Sequence, residues 1–299
     1  MENKIQKVAV IGTGLLGTQI AIQATCFDYE VSAHDPEEGS FNKVIQTLDA
    51  MMKFTGKGPV VPMDEWKKGV QRVNLCKDLE EALGDADLVI EAAPENLELK
   101  RKLFERLDAL APRGAILATN SSSIPISKIE SATTRPERCL NMHFYSPVLG
   151  LNMVDIMGGT RTTAETIEAG KEWIRSVGCV PLTVKKEILG FCFNRVWRAV
   201  KRETLYLWAE GFVDFRDIDR GWMIFTGMPQ GPFGFMDNVG LDVVYDIEMV
   251  YYNESKDPKD HPPEALKAKV DRKELGIKTN KGFYTYPDPE YSKTDFIKG

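Results

Sequence analysis

Apolar and polar residues follow two different patterns along the chain, and the change falls near residue 186. Before that point, short and nearly continuous apolar runs alternate with segments of helical periodicity. Such runs are typical of strands in a parallel sheet that helices cover on both faces. The runs that predict strands are Lys7–Gly12, Glu30–Asp35, Asp87–Ala93, Ala115–Asn120, Cys139–Ser146, Asn152–Gly158 and Val180–Lys185.

Two of the helices between these strands have distinct start signals. Glu98–Ala111 carries leucines on one face, and Asn96 stands before it in position for an N-cap. Another helix is predicted to start at a capping box formed by Thr162 and Glu165 and to end at Gly178. Strands that alternate with helices in this way predict an α/β fold.

After residue 186 the pattern is helical throughout and rich in Trp, Tyr and Phe. A series of strand–helix units followed by a series of helices argues for two domains. We therefore predict an α/β domain with a mostly parallel sheet over residues 1–186, and an all-α domain over residues 187–299. The aromatic, apolar character of the second domain predicts a homodimer that forms through its helices. The predicted helices are Phe191–Glu210, Asp214–Phe225, Phe233–Tyr252 and Pro263–Leu275.

Composition and charge exclude several classes of function. The chain of 299 residues has 38 Lys+Arg against 44 Asp+Glu, a formal net charge of −6, so nucleic acid is not an expected partner. It contains no apolar run of about 18 residues, so no membrane-spanning helix is expected. The five cysteines lack the CxxC and Cys/His spacings of metal sites, so we expect no metal and a reducing, cytoplasmic location.

A glycine motif follows the first predicted strand and opens an apolar helix. Gly12, Gly14 and Gly17 have the GxGxxG spacing. The first glycine permits a tight turn, the second lets a pyrophosphate approach the backbone, and the third allows close packing of helix on strand. Backbone N–H groups at the start of the helix, around Leu15 and Leu16, then hold the phosphates. The motif predicts a Rossmann-type domain with a dinucleotide site, and a glycine-rich turn without a cofactor is the alternative.

Asp35 identifies the dinucleotide. It ends the second predicted strand, where a carboxylate can accept hydrogen bonds from the adenosine ribose. A 2′-phosphate at that place would meet Asp35 with Glu37 and Glu38 close by. The predicted cofactor is therefore NAD rather than NADP.

Three histidines limit the choice of a catalytic base. His34 lies beside Asp35 at the ribose end of the cofactor, and His261 lies in a loop rich in Pro and charged residues. His143 follows a strand-like run, so it projects at the carboxyl end of the sheet, where ligands bind. A neutral imidazole there takes the proton of an alcohol as a hydride leaves to NAD. A histidine held only by backbone hydrogen bonds is the structural alternative.

Asp155 is the expected partner of His143. It lies inside an apolar strand-like run, where a carboxylate is costly to bury unless it is paired. If the two strands return past each other, Asp155 accepts from one nitrogen of His143 and fixes its tautomer. A carboxylate that contacts solvent at a strand end is the alternative. Other polar candidates are the hydroxyls of Thr119–Ser123, which could bind the substrate oxygen and which a helix cap also explains, and Asn194 at the start of the helical domain.

With these motifs in order, the chain resembles the L-3-hydroxyacyl-CoA dehydrogenase family. The resemblance implies reversible, NAD-dependent oxidation of an L-3-hydroxyacyl-CoA in fatty acid metabolism, by a homodimer. The segments that carry it span nearly the whole chain: Gly12–Gly17, Glu91–Asn96 with Lys100, Asn120–Ser123, His143–Phe144 with Pro147, Gly190–Phe191 with Asn194–Arg195, Gly231–Phe233, Asp237, Val239–Asp242, Lys278–Thr279 and Gly282–Tyr284.

The resemblance also implies roles for individual residues. His143 is the implied base, and Ser122 and Asn194 are implied to position the substrate oxygen. Further contacts with the cofactor or in the active site are implied for Glu95, Lys100, Asn120, Ser122, Ser146 and Lys278.

Two departures leave the substrate open. The family usually has Glu where Asp155 stands and Asn where Ser146 stands, so either the backbones approach more closely or the contact between His143 and its acid is longer. Pro36–Arg72 looks short for a CoA-binding segment, although it offers Lys53, Lys57, Lys67 and Lys68 to phosphates. The alternatives are a dehydrogenase of a CoA-free 3-hydroxy acid, such as gulonate or carnitine, and a non-catalytic NAD-binding protein.

Overall fold

The computed structural model describes residues 5–55, 58–148 and 152–299. Contacts within the chain divide it into two compact units, Met1–Phe193 and Asn194–Gly299. The domain boundary that the sequence places between residues 186 and 187 stays a prediction.

Among the described residues of the first unit, eight strands form one sheet. They are β1 Lys7–Ile11, β2 Glu30–His34, β3 Asn74–Leu75, β4 Leu88–Glu91, β5 Ile116–Thr119, β6 Cys139–Phe144, β7 Asn152–Gly158 and β8 Cys179–Val184. Their order across the sheet is β3-β2-β1-β4-β5-β6-β7-β8. β6 and β7 pair antiparallel, and the other neighbouring strands pair parallel. The mostly parallel sheet predicted from the sequence is confirmed.

Helices cover both faces of this sheet. They are α1 Leu15–Cys26, α2 Ser40–Thr55, α3 Met63–Arg72, α4 Leu79–Leu83, α5 Leu97–Leu110 and α6 Ala164–Ser176. Val8 and Val10 of β1 belong to an apolar cluster with α1 and α6, whereas Ala9 and Ile11 belong to a cluster with α4 and α5. Because both faces of the strand are buried, its sequence is continuously apolar.

The ends of two helices test the capping predictions. Asn96 Oδ1 accepts a hydrogen bond from Leu99 N at 2.9 Å, which confirms it as the N-cap of α5. The predicted cap at Thr162 is wrong, because α6 begins one residue later with Thr163 as its N-cap. Thr162 Oγ1 accepts instead from Gly159 N at 2.7 Å, so the turn after β7 uses it.

Between β2 and β4 the chain forms four elements that the sequence analysis did not predict: α2, α3, β3 and α4. The two residues of β3 are exposed, so no apolar run marks this strand. α3 buries only Trp66 and Gly69 of its ten residues, and no N-cap side chain marks its start.

The second unit is helical, with α7 beginning at the last residue of the first unit. Its helices are α7 Phe193–Ala209, α8 Phe215–Thr226, α9 Pro232–Val239, α10 Leu241–Ser255 and α11 Glu264–Asp271. The prediction of a single helix over Phe233–Tyr252 is wrong. The helix is interrupted at Gly240, whose φ of 101° lies outside the helical region. An α/β unit of Rossmann type followed by a helical unit is confirmed.

Buried carboxylates organise the core of the second unit. Asp219 accepts hydrogen bonds from Phe233 N at 2.9 Å, from Gly234 N at 3.0 Å and from Tyr284 Oη at 3.0 Å. Burial raises the pKa of Asp219 to about 6 against the effect of these donors. Asp237 binds the backbone N–H groups of residues 283 and 284 in the same way. The Gly231–Phe233, Asp237 and Gly282–Tyr284 motifs therefore have a structural role.

The cysteines are free thiols, and burial raises the pKa of Cys139 to about 12 and that of Cys179 to about 11. They act as small apolar residues at these places. Over residues 5–55, 58–148 and 152–299, no helix combines the length and apolarity that crossing a bilayer requires.

Candidate active site

The glycine turn lies between β1 and α1. Gly12 has a φ of 101°, and a Cβ there would come within 2.7 Å of Ala92 O. A Cβ on Gly17 would lie 1.9 Å from Gly12 O, so helix and strand pack too closely for any side chain. A Cβ on Gly14 would meet nothing within 4 Å. The turn is closed behind Gly12 and Gly17 and open in front of Gly14, as a pyrophosphate requires.

The start of α1 is prepared for an anion. Gly14 is its N-cap, so no side chain accepts from the first N–H groups, and the first turn contains no acidic residue. Leu15 and Leu16 supply the first N–H groups, which carry the positive end of the helix dipole.

Asp35 follows β2 and points back towards the glycine turn. Its Oδ2 accepts from Thr13 N at 2.6 Å and its Oδ1 from Glu37 N at 2.8 Å. The carboxylate is therefore fixed by two backbone donors beside the place where the cofactor's phosphates would bind. A fixed negative charge at this point disfavours a 2′-phosphate.

Lys100 is held by an acid that the sequence analysis did not single out. Its Nζ lies 2.6 Å from Glu91 Oε1, and the two side chains are 1% and 0% exposed. Glu91 Oε2 accepts from Thr119 Oγ1 at 2.6 Å. The pair ties α5 to the carboxyl ends of β4 and β5. Because the ammonium is buried and paired, the predicted contact of Lys100 with the cofactor stays a prediction.

Glu95 binds the serine loop that follows β5. Its Oε1 accepts from Ser121 Oγ at 2.6 Å, Ser123 Oγ at 2.7 Å and Ser123 N at 2.9 Å. Burial raises the pKa of Glu95, but these donors and the charge of Lys100 outweigh it and lower the pKa overall. The sequence analysis expected the hydroxyls of Ser121 and Ser123 to bind substrate or cap a helix, but both donate to Glu95. Ser122 between them is exposed.

Asn120 links β5 to β6. Its Oδ1 accepts from Phe144 N at 2.8 Å, next to His143. Predicted residues from four segments thereby meet at the carboxyl edge of the sheet, around a cleft of about 180 Å³. The cleft is lined by Leu16, Ala92, Ala93, Glu95, Lys100, Asn120, Ser121, Ser122 and His143.

A larger groove of about 1250 Å³ lies at the opposite edge of the sheet. It is lined by residues that precede the strands, such as Asp87 and Arg138, and by one face of α6. Ligands of α/β sheets bind at the carboxyl ends of strands, so the smaller cleft is the candidate active site.

His143 and Asp155 stand directly opposite each other on β6 and β7, as the sequence predicts. The hydrogen bond expected between them is not formed, because His143 Nδ1 lies 3.6 Å from Asp155 Oδ2. Tyr145 Oη donates to that same Oδ2, and Cys192 N donates to Oδ1 at 3.3 Å. His143 Nδ1 is buried without a hydrogen-bond partner among the described residues.

Aromatic rings fix the plane of the imidazole. Phe191 stacks on His143 with a centroid distance of 5.0 Å and an interplanar angle of 8°. Tyr145 packs its edge against His143 at 4.6 Å. The sequence analysis gave neither aromatic residue a role, because both contacts depend on strand pairing and loop return.

Three predicted residues are not among those that line the cleft. Ser146 is exposed just after β6. Asn194 lies in the first turn of α7, and Lys278 lies in the 3₁₀ turn Ile277–Thr279, where it pairs with Asp242. Their predicted roles in catalysis or cofactor binding stay predictions. Within the described part of the chain, no group of three His, Cys, Asp or Glu side chains could hold a metal ion.

Comparisons with known proteins follow the two units. The family model "3-hydroxyacyl-CoA dehydrogenase, NAD binding domain" matches residues 7–188, and "3-hydroxyacyl-CoA dehydrogenase, C-terminal domain" matches residues 190–286. The chain belongs to the 3-hydroxyacyl-CoA dehydrogenase family. It is thus an NAD-dependent oxidoreductase that acts on CH–OH groups.

Relatives in the 3-hydroxyacyl-CoA dehydrogenase family differ in substrate. A 3-hydroxybutyryl-CoA dehydrogenase of Clostridioides difficile is 33% identical over 94% of this chain and 99% of its own length. A 5-formyl-3-hydroxy-2-methylpyridine 4-carboxylate 5-dehydrogenase of Mesorhizobium japonicum is 30% identical over 97% and 93%. The solved structure of a diketoreductase has a TM-score of 0.83 at 33% identity, covering 95% of this chain and 100% of its own.

Proposed function

We propose that this enzyme reversibly oxidises an L-3-hydroxyacyl-CoA to the 3-ketoacyl-CoA, with His143 as the general base. The observation that carries the proposal is the cleft at the carboxyl edge of the sheet, where His143 lies with Asn120 and Ser122 close to the glycine turn. An alcohol bound there would have a proton acceptor on one side and the cofactor site on the other.

The residues around the glycine turn would hold NAD, which supplies the hydride acceptor when bound. Gly12, Gly14 and Gly17 leave room for the pyrophosphate, and the N–H groups of Leu15 and Leu16 would bind it. Asp35 would accept from the ribose, Glu95 and Asn120 would shape the wall of the site, and contacts from Ser146 and Lys278 follow from the family resemblance.

His143 would work through Nε2, because its Nδ1 faces the Asp155 carboxylate. The neutral ring takes the hydroxyl proton during oxidation, and the imidazolium returns it during reduction. The buried charge of Asp155 stabilises the imidazolium across 3.6 Å. Ser122 and Asn194 would position the substrate oxygen, as the family resemblance implies.

The test is turnover of matched substrates. NADH oxidation by the purified enzyme should be fast with acetoacetyl-CoA and slow with free acetoacetate, since the CoA part contributes binding. A His143→Gln variant serves as the control for background reduction. Faster turnover of free 3-keto acids than of any acyl-CoA would overturn the substrate assignment while leaving the chemistry in place.

A CoA-free hydroxy acid is the second candidate. It is favoured by the Mesorhizobium japonicum relative, whose name carries no CoA, and by the presence of Asp155 where the family usually has Glu. Lysines for CoA phosphates are exposed on α2 and α3, at Lys53 and Lys67. Lys68 pairs with Glu65, and Lys57 lies outside the described residues. NADH binding without turnover of any 3-keto compound would favour a non-catalytic protein instead.

We further propose that the enzyme is a homodimer formed by the second unit. Phe225 is 90% exposed, and Phe212 and Ile224 are more than half exposed, so this unit presents large apolar side chains to solvent. Sedimentation should give a dimer that Phe225→Glu dissociates. Leu75→Glu, at an exposed residue of the first unit, is the matched control. A cytoplasmic location stays a prediction.

A further inference from the structure

Tyr145 contacts both residues of the proposed acid–base pair. It lies two positions after His143, directly after the end of β6. Its ring packs edge-on against the imidazole at 4.6 Å, and its hydroxyl donates to Asp155 Oδ2. The ring also makes a T-shaped contact with the ring of Phe193, with a centroid distance of 5.8 Å.

The Asp155 carboxylate lies close to three groups that could donate to it: the Tyr145 hydroxyl, the Cys192 N–H and the His143 imidazole. It is fully buried, so its charge must be balanced by hydrogen bonds. Tyr145 Oη takes the Oδ2 atom that also lies nearest to His143 Nδ1. Cys192 N takes Oδ1 at 3.3 Å. The phenol and the imidazole thus both lie next to Oδ2, and the phenol forms the hydrogen bond with it.

We infer that Tyr145 is a positioning residue of the reaction, which sets the proton affinity of His143 by holding Asp155 Oδ2. The inference rests on the proposed function, in which His143 is the base. A hydrogen bond donated to a carboxylate spreads its negative charge and leaves less of it for a second partner. With Tyr145 in place, the imidazole keeps its proton less firmly than beside an unshared carboxylate, which favours the neutral form that oxidation requires.

The hydrogen bond between Tyr145 and Asp155 also relates two features of the β6–β7 pair: the short acid at position 155 and its distance from His143. Asp is one methylene shorter than the Glu that the family usually has at this position. The gap between the carboxylate and the imidazole is 3.6 Å, and the phenol hydroxyl supplies the hydrogen bond that the imidazole does not. Tyr145 and Asp155 therefore act as one unit in place of a longer acid.

The ionisable groups near His143 come from several segments of the chain. Asp155 faces it from β7, Tyr145 from the segment after β6, and Cys192 from the segment before α7. Glu95 and Lys100 line the same cleft. Among the described residues, the side chains of Cys192, Glu95 and Lys100 form no bond with Asp155 Oδ2. A change at Tyr145 alone therefore tests the inference.

The experiment follows the His143 imidazole by NMR as a function of pH in the full-length protein. With three histidines in the sequence, its signal is assigned by its loss in His143→Gln. Tyr145→Phe removes only the hydroxyl, so Oδ2 is free to turn towards Nδ1. The midpoint of the His143 titration should rise by about 0.5–1 pH unit. Tyr29→Phe, which removes a phenol that bonds Ser176 outside the cleft, is the matched control and should leave it unchanged.

Asp155→Asn provides the decisive background. There the amide no longer carries the charge that Tyr145 shares, so adding Tyr145→Phe should move the midpoint no further. In steady-state oxidation, Tyr145→Phe should shift the rise of kcat to higher pH by the same amount as the NMR midpoint, with little change in KM for NAD. An unmoved midpoint in Tyr145→Phe, or an equal shift in both backgrounds, would overturn the inference. A His143→Gln enzyme that keeps most of its activity would overturn the proposed function instead, whatever the titration shows.

Discussion

Lys100 Nζ and Glu91 Oε1 lie 2.6 Å apart, and the two side chains are only 1% and 0% exposed. Removing one partner of such a pair leaves a buried charge without compensation. Lys100→Met should therefore lower the free energy of unfolding by roughly 3–5 kcal/mol. Urea denaturation checks this, with Lys68→Met on the surface of α3 as the control, for which a change within about 0.5 kcal/mol is expected.

A second outcome distinguishes the roles of Lys100. If the pair is structural, Lys100→Met combined with Glu91→Leu should recover much of the lost stability, since neither charge is then buried alone. Cofactor affinity in that double variant should stay close to the value of the unchanged enzyme. Lost NAD affinity despite recovered stability would show that Lys100 contacts the cofactor directly.

The choice between cofactors should depend on Asp35. Its carboxylate is fixed by Thr13 N and Glu37 N, so it presents a rigid negative charge to the ribose. Asp35→Ser should reduce the preference for NAD over NADP by roughly tenfold or more, the size of a lost charged hydrogen bond. The ratio of kcat/KM for the two cofactors measures this, with Glu105→Ser at an exposed position of α5 as the control. Equal use of both cofactors by the unchanged enzyme would contradict the assignment.

A longer acid should not improve the pair of His143 and Asp155. Since Tyr145 Oη already meets Oδ2, the extra methylene of Asp155→Glu pushes the carboxylate into the phenol. The rate should fall on the order of 10-fold to 100-fold, as for a misplaced catalytic group. Asp155→Glu together with Tyr145→Phe should recover a large part of it. No difference between Asp155→Glu with and without the tyrosine hydroxyl would show that the two side chains do not compete for space.

Acid should remove a surface contribution from the second unit. A hydrogen bond from Arg272 is the largest cause that lowers the pKa of Glu274 to about 2; burial opposes it, and hydrogen bonds from Lys281 and Lys269 add to it. A carboxylate whose pKa is lowered on folding stabilises the protein above the pKa of the unfolded chain. That contribution is lost as the pH falls through the folded value. The fall in Tm caused by Glu274→Gln should thus be full at pH 7 and shrink between about pH 4.5 and 2.

Thermal unfolding by circular dichroism follows this dependence, with the exposed Glu254→Gln as the reference substitution. A difference in Tm that stays constant from pH 7 to the acid limit would mean that the ion cluster of Glu274 contributes nothing through its charge.

The sequence predicted the parts of the fold that repeat a local pattern. β1, β4, β5 and β7 were found because burial on both faces of a sheet leaves an apolar run in the sequence. β3 was missed because both of its residues are exposed, and the break at Gly240 was missed because apolar periodicity continues through it. Thr162 and Thr163 are equally good caps by type, and only the contact of Thr162 with Gly159 decides between them.

The residues of the candidate site likewise divide into those that the sequence could identify and those that it could not. Gly12, Asp35 and His143 could be identified because each stands at a strand end, where topology puts ligands. Tyr145 could not be identified, because its partner Asp155 lies opposite His143 only when β6 and β7 pair in one register. A shift of that register by one residue would turn Asp155 to the other face of the sheet.

His143→Gln tests most directly whether His143 moves the proton of the substrate. The rate of acyl-CoA oxidation by the purified variant should fall by about 10²–10⁴-fold, the usual contribution of a general base. Its affinity for NADH, measured by fluorescence titration, should stay unchanged, because the glycine turn that would bind the phosphates is untouched. A variant that binds NADH normally and retains most of the oxidation rate would contradict the claim.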